Sequence, residues 1–192
     1  MHLLTPHTQS VDPFVYWENE FSNQELNWLQ NEARHATDSG FVGSHRGGVV
    51  NTETRRSQVK WLYESAVNNW VFERLAHVVS SINSSSYRFD LLGFGEPLQL
   101  TNYNSTETGM YGWHQDYGGT VSRKLSLVIQ LSDPSEYEGG NLQIQTGLHP
   151  ETVRKQRGLI TLFPSYTLHQ VTPVTQGSRQ SLVAWITGPA FR

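Results

Sequence analysis

Residues Tyr111 to Asp116 read Tyr-Gly-Trp-His-Gln-Asp and place an imidazole and a carboxylate two positions apart. In an extended segment the side chains at positions i and i+2 point to the same face, so His114 and Asp116 can bind one cation together. A third ligand must come from elsewhere in the chain. The best candidate is His169 in Leu-His-Gln-Val-Thr-Pro, which Arg179 follows ten residues later. Two histidines and one carboxylate are typical of non-haem Fe(II) sites.

The composition restricts the chemistry that this chain can carry. Its 192 residues suffice for one domain with its own core, and we expect a single domain over residues 1–192. The absence of cysteine excludes disulfides, thiolate metal ligands and cysteine nucleophiles, and it favours a cytoplasmic protein. A formal charge of −3 disfavours nucleic acid as a partner. With no apolar leader and no apolar run of about 18 residues, we expect neither export nor a membrane span.

Hydrophobic spacing predicts two helices in the first half of the chain. The first helix begins at a Ser-x-x-Glu capping box formed by Ser22 and Glu25. The second helix carries apolar residues at spacings of three and four over residues 67–82 and ends at the serine run 84–86. The predicted buried residues are Leu26, Leu29 and Ala33 in the first helix and Val67, Val71, Leu75, Val78 and Ile82 in the second.

Short strands are predicted to dominate the second half. Apolar and polar residues alternate over residues 98–103, 125–131 and 181–186, which predicts strands with one packed face and one more polar face. Helices followed by many short strands predict an α+β, mainly β fold with a jelly-roll core. We expect this cupin-like double-stranded β-helix over about residues 88–188, supported by N-terminal helices within about residues 13–86. Glycines that mark turns between strands are Gly139, Gly140, Gly158 and Gly177.

The segment between the two predicted helices is rich in glycine, serine and threonine from Asp38 to Arg56. Such a composition is typical of a surface loop, and its length suggests a lid over a binding site. We therefore expect a loop over residues 40–60 that borders the substrate entrance.

Three stretches carry a resemblance to a known family. The first leads from Tyr103 to the His-x-Asp pair, and the second, over residues 125–142, contains Leu-Ser-Asp-Pro followed by Glu-Gly-Gly-Asn-Leu. The third extends from Pro164 to Arg179 and matches in both spacing and flanking residues. Together they resemble the Fe(II)- and 2-oxoglutarate-dependent oxygenases, above all the prolyl 4-hydroxylases and the bacterial PKHD-type hydroxylases.

The resemblance implies a role for each matching residue. His114, Asp116 and His169 would hold Fe(II) and leave positions for 2-oxoglutarate and dioxygen. Arg179 would bind the far carboxylate of 2-oxoglutarate through two parallel charge-assisted hydrogen bonds. The other implied cosubstrate-binding residues are Tyr103, Gln130, Thr101, Trp185, Val171, Leu142 and Val128. The residues implied at the substrate entrance are Tyr111, Trp113 and Arg56. For the aromatic residues among these, an ordinary place in the core remains an alternative.

The resemblance also implies an activity. The enzyme would hydroxylate a prolyl residue in a peptide or protein with O2, convert 2-oxoglutarate to succinate and CO2, and use ascorbate as an accessory reductant. One alternative is an oxygenase of the same fold that acts on a small molecule or a nucleobase. Nucleic-acid-repair oxygenases of this family carry a second arginine six residues after the cosubstrate arginine, where this chain has Trp185. Another alternative is a non-catalytic jelly-roll binding module, against which the intact ligand set argues.

Overall fold

The larger of two β-sheets carries two helices on its outer face. The structure, a computed structural model, describes residues 11–40, 42, 49–118 and 121–191. Helices α1 (Asn23–Arg34) and α2 (Asn69–Ile82) share one hydrophobic core with the central strands of this sheet. Neither helix, among the residues described, is long and apolar enough to cross a bilayer.

Fourteen strands are present in the described part of the chain, and all their pairings are antiparallel. They are β1 (Val15–Trp17), β2 (Asp38–Ser39), β3 (Arg55–Arg56), β4 (Gln58–Leu62), β5 (Gly93–Phe94), β6 (Leu98–Asn104), β7 (Met110–His114), β8 (Arg123–Gln130), β9 (Tyr137–Gly139), β10 (Leu142–Gln145), β11 (Pro150–Thr152), β12 (Ile160–Pro164), β13 (His169–Val171) and β14 (Val174–Thr187).

The strands form two facing sheets, as the sequence predicts for a jelly roll. The larger sheet has the order β1-β12-β8-β14-β6-β4-β2, with β5 and β9 also paired to β14. The smaller sheet has the order β11-β10-β13-β7-β3. A second hydrophobic core joins Val128 and Phe163 of the larger sheet to Leu142, Ile144 and Val171 of the smaller one. This core closes one end of the space between the sheets, and the functional site occupies the rest.

The first helix forms as its sequence predicts. The Ser22 side chain accepts a hydrogen bond from the Glu25 backbone, and the Glu25 carboxylate accepts one from the Ser22 backbone in return. This reciprocal pair satisfies two backbone donors that would otherwise lack partners at a helix start. The apolar stripe is buried, and Gln30 joins it. Gln30 donates to Glu136 and so ties the helix to the turn before β9.

The bounds predicted for the second helix need correction at both ends. Val67 lies before the helix and is 74% exposed, because the helix starts only at Asn69. At the other end the serine run does not stop the helical turn. It continues as a π-helical turn over Asn83–Tyr87, which ends at Arg88 in the left-handed conformation. The buried Tyr87 at its end donates to the carbonyl oxygen of Leu162 and so ties this turn to β12.

The prediction that each long strand has one more polar, less packed face is wrong. Every residue over 98–103 in β6 and 124–130 in β8 is buried. One face of these strands packs against the helices, while the other faces the second sheet and the cavity between them. The polar residues on that inner face are buried because they line a binding site.

The segment predicted as a loop over residues 38–56 contains part of both sheets. Strand β3 pairs with β7, and β4 pairs with β6 across more than 35 positions of sequence. These partners are distant in sequence, so local composition could not indicate them. Residues 41 and 43–48, on which the lid prediction partly depends, lie outside the described residues. The division into a helical part and a jelly-roll part, within one domain over 1–192, stays a prediction, although β1 and β4 of the first part pair with strands of the second.

Candidate active site

The predicted His-x-Asp pair and the distant histidine meet at one edge of the smaller sheet. His114 ends β7 and lies directly opposite His169, which begins the paired strand β13. The Nε2 atom of His114 is 3.8 Å from Oδ1 of Asp116, and Nε2 of His169 is 3.6 Å from Oδ2 of the same carboxylate. The three donor atoms lie within 4.8 Å of one another, so they can surround a single metal ion.

Backbone carbonyls fix the tautomer of both histidines. The Nδ1 atom of His114 lies 2.8 Å from the carbonyl oxygen of Gly112, and Nδ1 of His169 lies 2.9 Å from that of Thr167. A carbonyl oxygen can only accept, so each Nδ1 carries the proton and donates it. The lone pair of each Nε2 is then directed at the metal position, which is the usual support for a ligating histidine.

The protonation states of the cluster suit a cation. Burial, together with the charge of His169 nearby, lowers the pKa of His114 to about 3, so its imidazole is neutral near pH 7. Burial would raise the pKa of Asp116. The imidazoles beside it, the Arg123 guanidinium and a 2.7 Å hydrogen bond from Ser126 Oγ outweigh that effect and hold the pKa below its usual value. Two neutral imidazoles and a carboxylate form the ligand set that non-haem Fe(II) prefers.

A β-bulge in β7 decides which of its side chains face the cluster. Tyr111 pairs with Val171 and His114 pairs with His169, so two residues of β7 oppose a single residue of β13. The extra residue lets positions i and i+3 face inward together. The Tyr111 ring consequently stacks on His114 with centroids 3.5 Å apart, whereas Trp113 is 40% exposed.

Arg179 is buried at another part of the same cavity, with 2% of its surface exposed. Its Nη1 donates to Ser181 Oγ at 3.3 Å, and its guanidinium lies 5.5 Å from the centroid of the Tyr103 ring. Among the described residues no carboxylate lies within ion-pairing distance of Arg179. A buried cation without an anionic partner is costly, so this position indicates a site for an anion supplied from outside the chain.

A cavity of about 490 Å³ joins the histidine–carboxylate cluster to Arg179. This volume is in the range of small-molecule sites. The sequence-predicted residues that line it are His114, Asp116, His169, Arg179, Tyr103, Tyr111, Val128, Leu142, Val171 and Trp185. Arg179, Ser181, Val183 and Trp185 all line it, as the alternation along β14 predicts.

Four of the predicted site residues do not line this cavity. Arg56 donates to the carbonyl oxygens of Thr108 and Thr52, and Trp113 is turned outward by the bulge. Thr101 is fully buried beside the cavity, where its hydroxyl donates to the side chain of a cavity-lining glutamine. Gln130 borders a separate small recess, which Arg179 also borders, and donates to the Tyr137 hydroxyl at 2.9 Å.

Several cavity residues escaped prediction from the sequence. Arg55, and not Arg56, faces the site, with its guanidinium 4.6 Å from the Tyr111 ring and its Nη2 donating to Gln99. Arg123 forms two hydrogen bonds with the buried Glu96, at 2.6 and 2.8 Å. The alternation of Val59 and Trp61 with polar neighbours would have indicated a strand here, and a strand would have placed Arg55 and Trp61 on one face. The remaining unpredicted lining residues are Tyr63, Glu96, Pro97, Gln99, Arg123, Ser181 and Val183.

Comparison with known proteins now adds to the geometry. The model of the 2OG-Fe(II) oxygenase superfamily matches residues 98–187. A PKHD-type hydroxylase of Shewanella sp. (strain MR-7) is 30% identical over 179 residues, which cover 88% of this chain and 75% of the relative. A PKHD-type hydroxylase of Nitrosomonas europaea is 32% identical over 149 residues, which cover 72% of this chain and 66% of the relative.

Solved structures share the fold at low sequence identity. A prolyl-4-hydroxylase of Pseudomonas putida has a TM-score of 0.70 at 17% identity and covers 93% of this chain and 94% of its own. A prolyl hydroxylase of Trichoplax adhaerens, in complex with a peptide fragment of hypoxia inducible factor, has a TM-score of 0.76 at 14% identity. It covers 92% of this chain and 84% of its own. At these identities the likeness supports the jelly-roll fold.

The fold, the ligand set and the unpaired arginine together define the class of an Fe(II)- and 2-oxoglutarate-dependent dioxygenase. The chain belongs to the 2OG-Fe(II) oxygenase superfamily, with PKHD-type hydroxylases as its curated relatives. The sequence-based predictions of fold, enzyme class and cofactors are thus confirmed. The residues present fit both groups, since the donor set suits Fe(II) and the buried Arg179 suits a dicarboxylate.

Proposed function

We propose that this enzyme hydroxylates a prolyl residue in a peptide or protein. The observation that carries the proposal is the shape of the cavity, which continues from the histidine–carboxylate cluster to the protein surface. Tyr63 lines the cavity and is 69% exposed, so the cavity is open at that end. An open cavity with aromatic walls suits one residue of a long chain, because the rest of that chain can remain outside. The names of the PKHD-type relatives and of the prolyl-hydroxylase structures support this substrate class.

In this proposal His114, Asp116 and His169 hold the Fe(II). Bound Fe(II) and 2-oxoglutarate supply the activation of dioxygen, with one oxygen atom entering the substrate and the other entering succinate as CO2 leaves. The protein keeps the two imidazoles neutral and oriented through the carbonyls of Gly112 and Thr167. Ser126 orients the carboxylate by donating to Oδ2, and its own hydroxyl lies 3.0 Å from Ser165 Oγ. These supports fix the ligands before the metal arrives.

Arg179 receives the far carboxylate of 2-oxoglutarate. Its planar guanidinium can make two parallel hydrogen bonds to that group, and Tyr103 lies beside it as a phenol donor. Thr101 and Gln130 support the wall from behind, through Gln99 and Tyr137. Apolar side chains of Val128, Leu142 and Val171 separate this end from water, which protects the reaction centre. Ascorbate as an accessory reductant remains part of the proposal.

The cavity mouth receives the substrate. It is lined by Trp61, Tyr63 and Trp185, which offer flat apolar surfaces to a pyrrolidine ring. Tyr111 lies between this mouth and the metal position, stacked on His114. A nucleobase substrate is disfavoured because Trp185 stands where repair oxygenases carry an arginine, and because the chain is acidic overall.

The test is an oxygenase assay with the purified protein, Fe(II), 2-oxoglutarate and a panel of proline-containing peptides. Single-stranded oligonucleotides and free amino acids serve as comparison substrates. We expect succinate release coupled to a mass gain of one oxygen atom on a prolyl residue, and neither product in the Asp116→Ala variant. Oxygen insertion into a nucleobase or a free amino acid, with no peptide product, would overturn the substrate class. Succinate release in every reaction with no oxidised product would overturn the panel's premise that the substrate is prolyl.

A further inference from the structure

One indole donor in the cavity wall has no partner. The Nε1 of Trp185 is the single buried side-chain nitrogen or oxygen, among the residues that the structure describes, without a hydrogen-bond partner. The residue is 6% exposed and lines the cavity. Buried indole N–H groups usually find an acceptor, and leaving one unpaired costs free energy. An unpaired donor in a cavity wall therefore points to an acceptor on a ligand.

The Trp185 ring is held in a fixed orientation. The guanidinium of Arg123 lies over its face at 3.8 Å, and the ring of Trp61 packs against it at 6.2 Å between centroids. Arg123 is itself fixed by two hydrogen bonds to Glu96. Because the ring is clamped, its N–H cannot turn away to find another acceptor. The donor is thus set in place before any ligand binds.

The position of Trp185 separates its ligand from the cosubstrate. Trp185 and Arg179 are six residues apart in β14, which corresponds to roughly 20 Å along an extended strand. The Arg179 side chain contacts Tyr103 and Ser181, whereas the Trp185 ring contacts Trp61 and Arg123. A five-carbon dicarboxylate held by Arg179 fills the opposite end of the cavity.

Trp185 lies on the mouth side of the metal position. Its backbone is paired with that of Ser126, whose hydroxyl donates to the carboxylate of Asp116. The Arg123 guanidinium over the indole also approaches Asp116, at 3.9 Å. A group that accepts from Nε1 here belongs to a molecule that comes in from the mouth and reaches the metal position, which is the position of the substrate.

We propose that Trp185 Nε1 donates a hydrogen bond to a backbone carbonyl oxygen of the peptide substrate and so sets which residue reaches the metal. This inference rests on the proposed function and names a further specificity-determining contact for it. A carbonyl is the acceptor because Glu96 already balances the charge of Arg123, so the mouth here offers a neutral donor. Every peptide bond carries such an acceptor, so the contact positions the chain without selecting its side chains.

The test removes the N–H and keeps the ring. One variant is Trp185→Phe, and a second places 3-benzothienylalanine at position 185, which has the shape of tryptophan with sulfur in place of the N–H. The probe is a prolyl peptide that the wild-type protein hydroxylates. Its dissociation constant is measured on protein loaded with Mn(II) and 2-oxoglutarate, so that no turnover occurs, and its KM and kcat are measured with Fe(II).

We expect the peptide dissociation constant and KM to rise by about three- to tenfold in both variants, as the loss of one neutral hydrogen bond predicts. The affinity for Mn(II) and for 2-oxoglutarate should not change, which also shows that the variants fold. An unchanged peptide constant in the benzothienylalanine protein, or a weakened 2-oxoglutarate constant in its place, would overturn the inference. If the wild-type protein bound and hydroxylated no prolyl peptide, the proposed function would fail, and this inference with it.

Discussion

At the scale of single residues, Asp116 is the most constrained group of the site. Its two carboxylate oxygens face the two imidazoles, and Oδ2 also accepts from Ser126. The serine hydroxyl continues to Ser165, which is fully buried, so the carboxylate cannot rotate without breaking this chain. The geometry of the metal site therefore depends on a residue that does not touch the metal.

This dependence predicts the effect of Ser126→Ala. Removal of the hydroxyl leaves the Asp116 carboxylate free to rotate, so we expect the affinity for Mn(II) to fall by about 10- to 100-fold. Calorimetric titration of the metal-free protein measures this change. The matched control is Ser132→Ala, since Ser132 is equally buried but bonds Gln180, away from the ligands. Equal losses of metal affinity in both variants would mean that Ser126 only stabilises the fold.

Arg179 combines a role in binding with a cost to stability. A buried guanidinium without a carboxylate lowers the free energy of unfolding of the empty protein. We therefore expect Arg179→Met to unfold at the same temperature as the wild type or higher, in the absence of 2-oxoglutarate, while it binds 2-oxoglutarate at least about 100-fold more weakly. Thermal unfolding and titration of the same samples measure both properties. A large loss of stability with normal cosubstrate binding would show that Arg179 serves the fold instead.

The residues that sequence analysis found and missed differ in how they reach the site. His114 and Asp116 are near neighbours on the chain, and their chemistry could be interpreted from spacing alone. Arg55 faces the site only because β3 pairs with β7, and Arg123 because β8 pairs with β14. Which arginine of the Arg55-Arg56 pair points inward is set by strand register, and a shift of one residue would exchange them.

At the scale of elements, local signals predicted the helix starts better than the strand irregularities. The capping box of α1 is a contact between residues three apart, so it could be predicted from four residues of sequence. The bulge in β7 arises between two strands and has no local signal, although it turns Trp113 outward. The π-helical turn after α2 likewise depends on the packing of Tyr87 against the core.

The capping box gives a prediction for the stability of the fold. Ser22→Ala should lower the free energy of unfolding by about 1 kcal/mol near pH 7. Burial alone would raise the pKa of Glu25, but its hydrogen bonds with Ser22 and the charge of Arg74 lower it below 4.5. A lowered pKa means that the contribution is fully present above the unfolded value and is lost as the pH falls through the folded value.

The difference between wild type and Ser22→Ala should thus shrink as the pH falls below 4.5. Urea unfolding at several pH values measures it. Ser84→Ala is the control, because the exposed Ser84 hydroxyl donates only to the carbonyl of Ser81. A difference that stays constant down to low pH would show that the Glu25 carboxylate takes no part in the cap.

At the scale of the whole molecule, the site lies between the two sheets and draws on both. The smaller sheet supplies His114 and His169, while β14 of the larger sheet supplies Arg179 and Trp185. The general architecture followed from the order of helices and alternating segments. The first strands could not be divided from the rest by sequence alone, because β1 and β4 complete a sheet whose other strands come much later.

This arrangement makes cosubstrate binding depend on metal and arginine together. The most direct test is the titration of 2-oxoglutarate into the wild-type protein with and without Mn(II). We expect tight binding with the metal and at least about 100-fold weaker binding without it, because a chelating ligand loses its metal contacts. Asp116→Ala should show only the weaker binding under both conditions. Binding of 2-oxoglutarate that is equally tight with and without Mn(II), or none at all, would contradict a site built from His114, Asp116, His169 and Arg179.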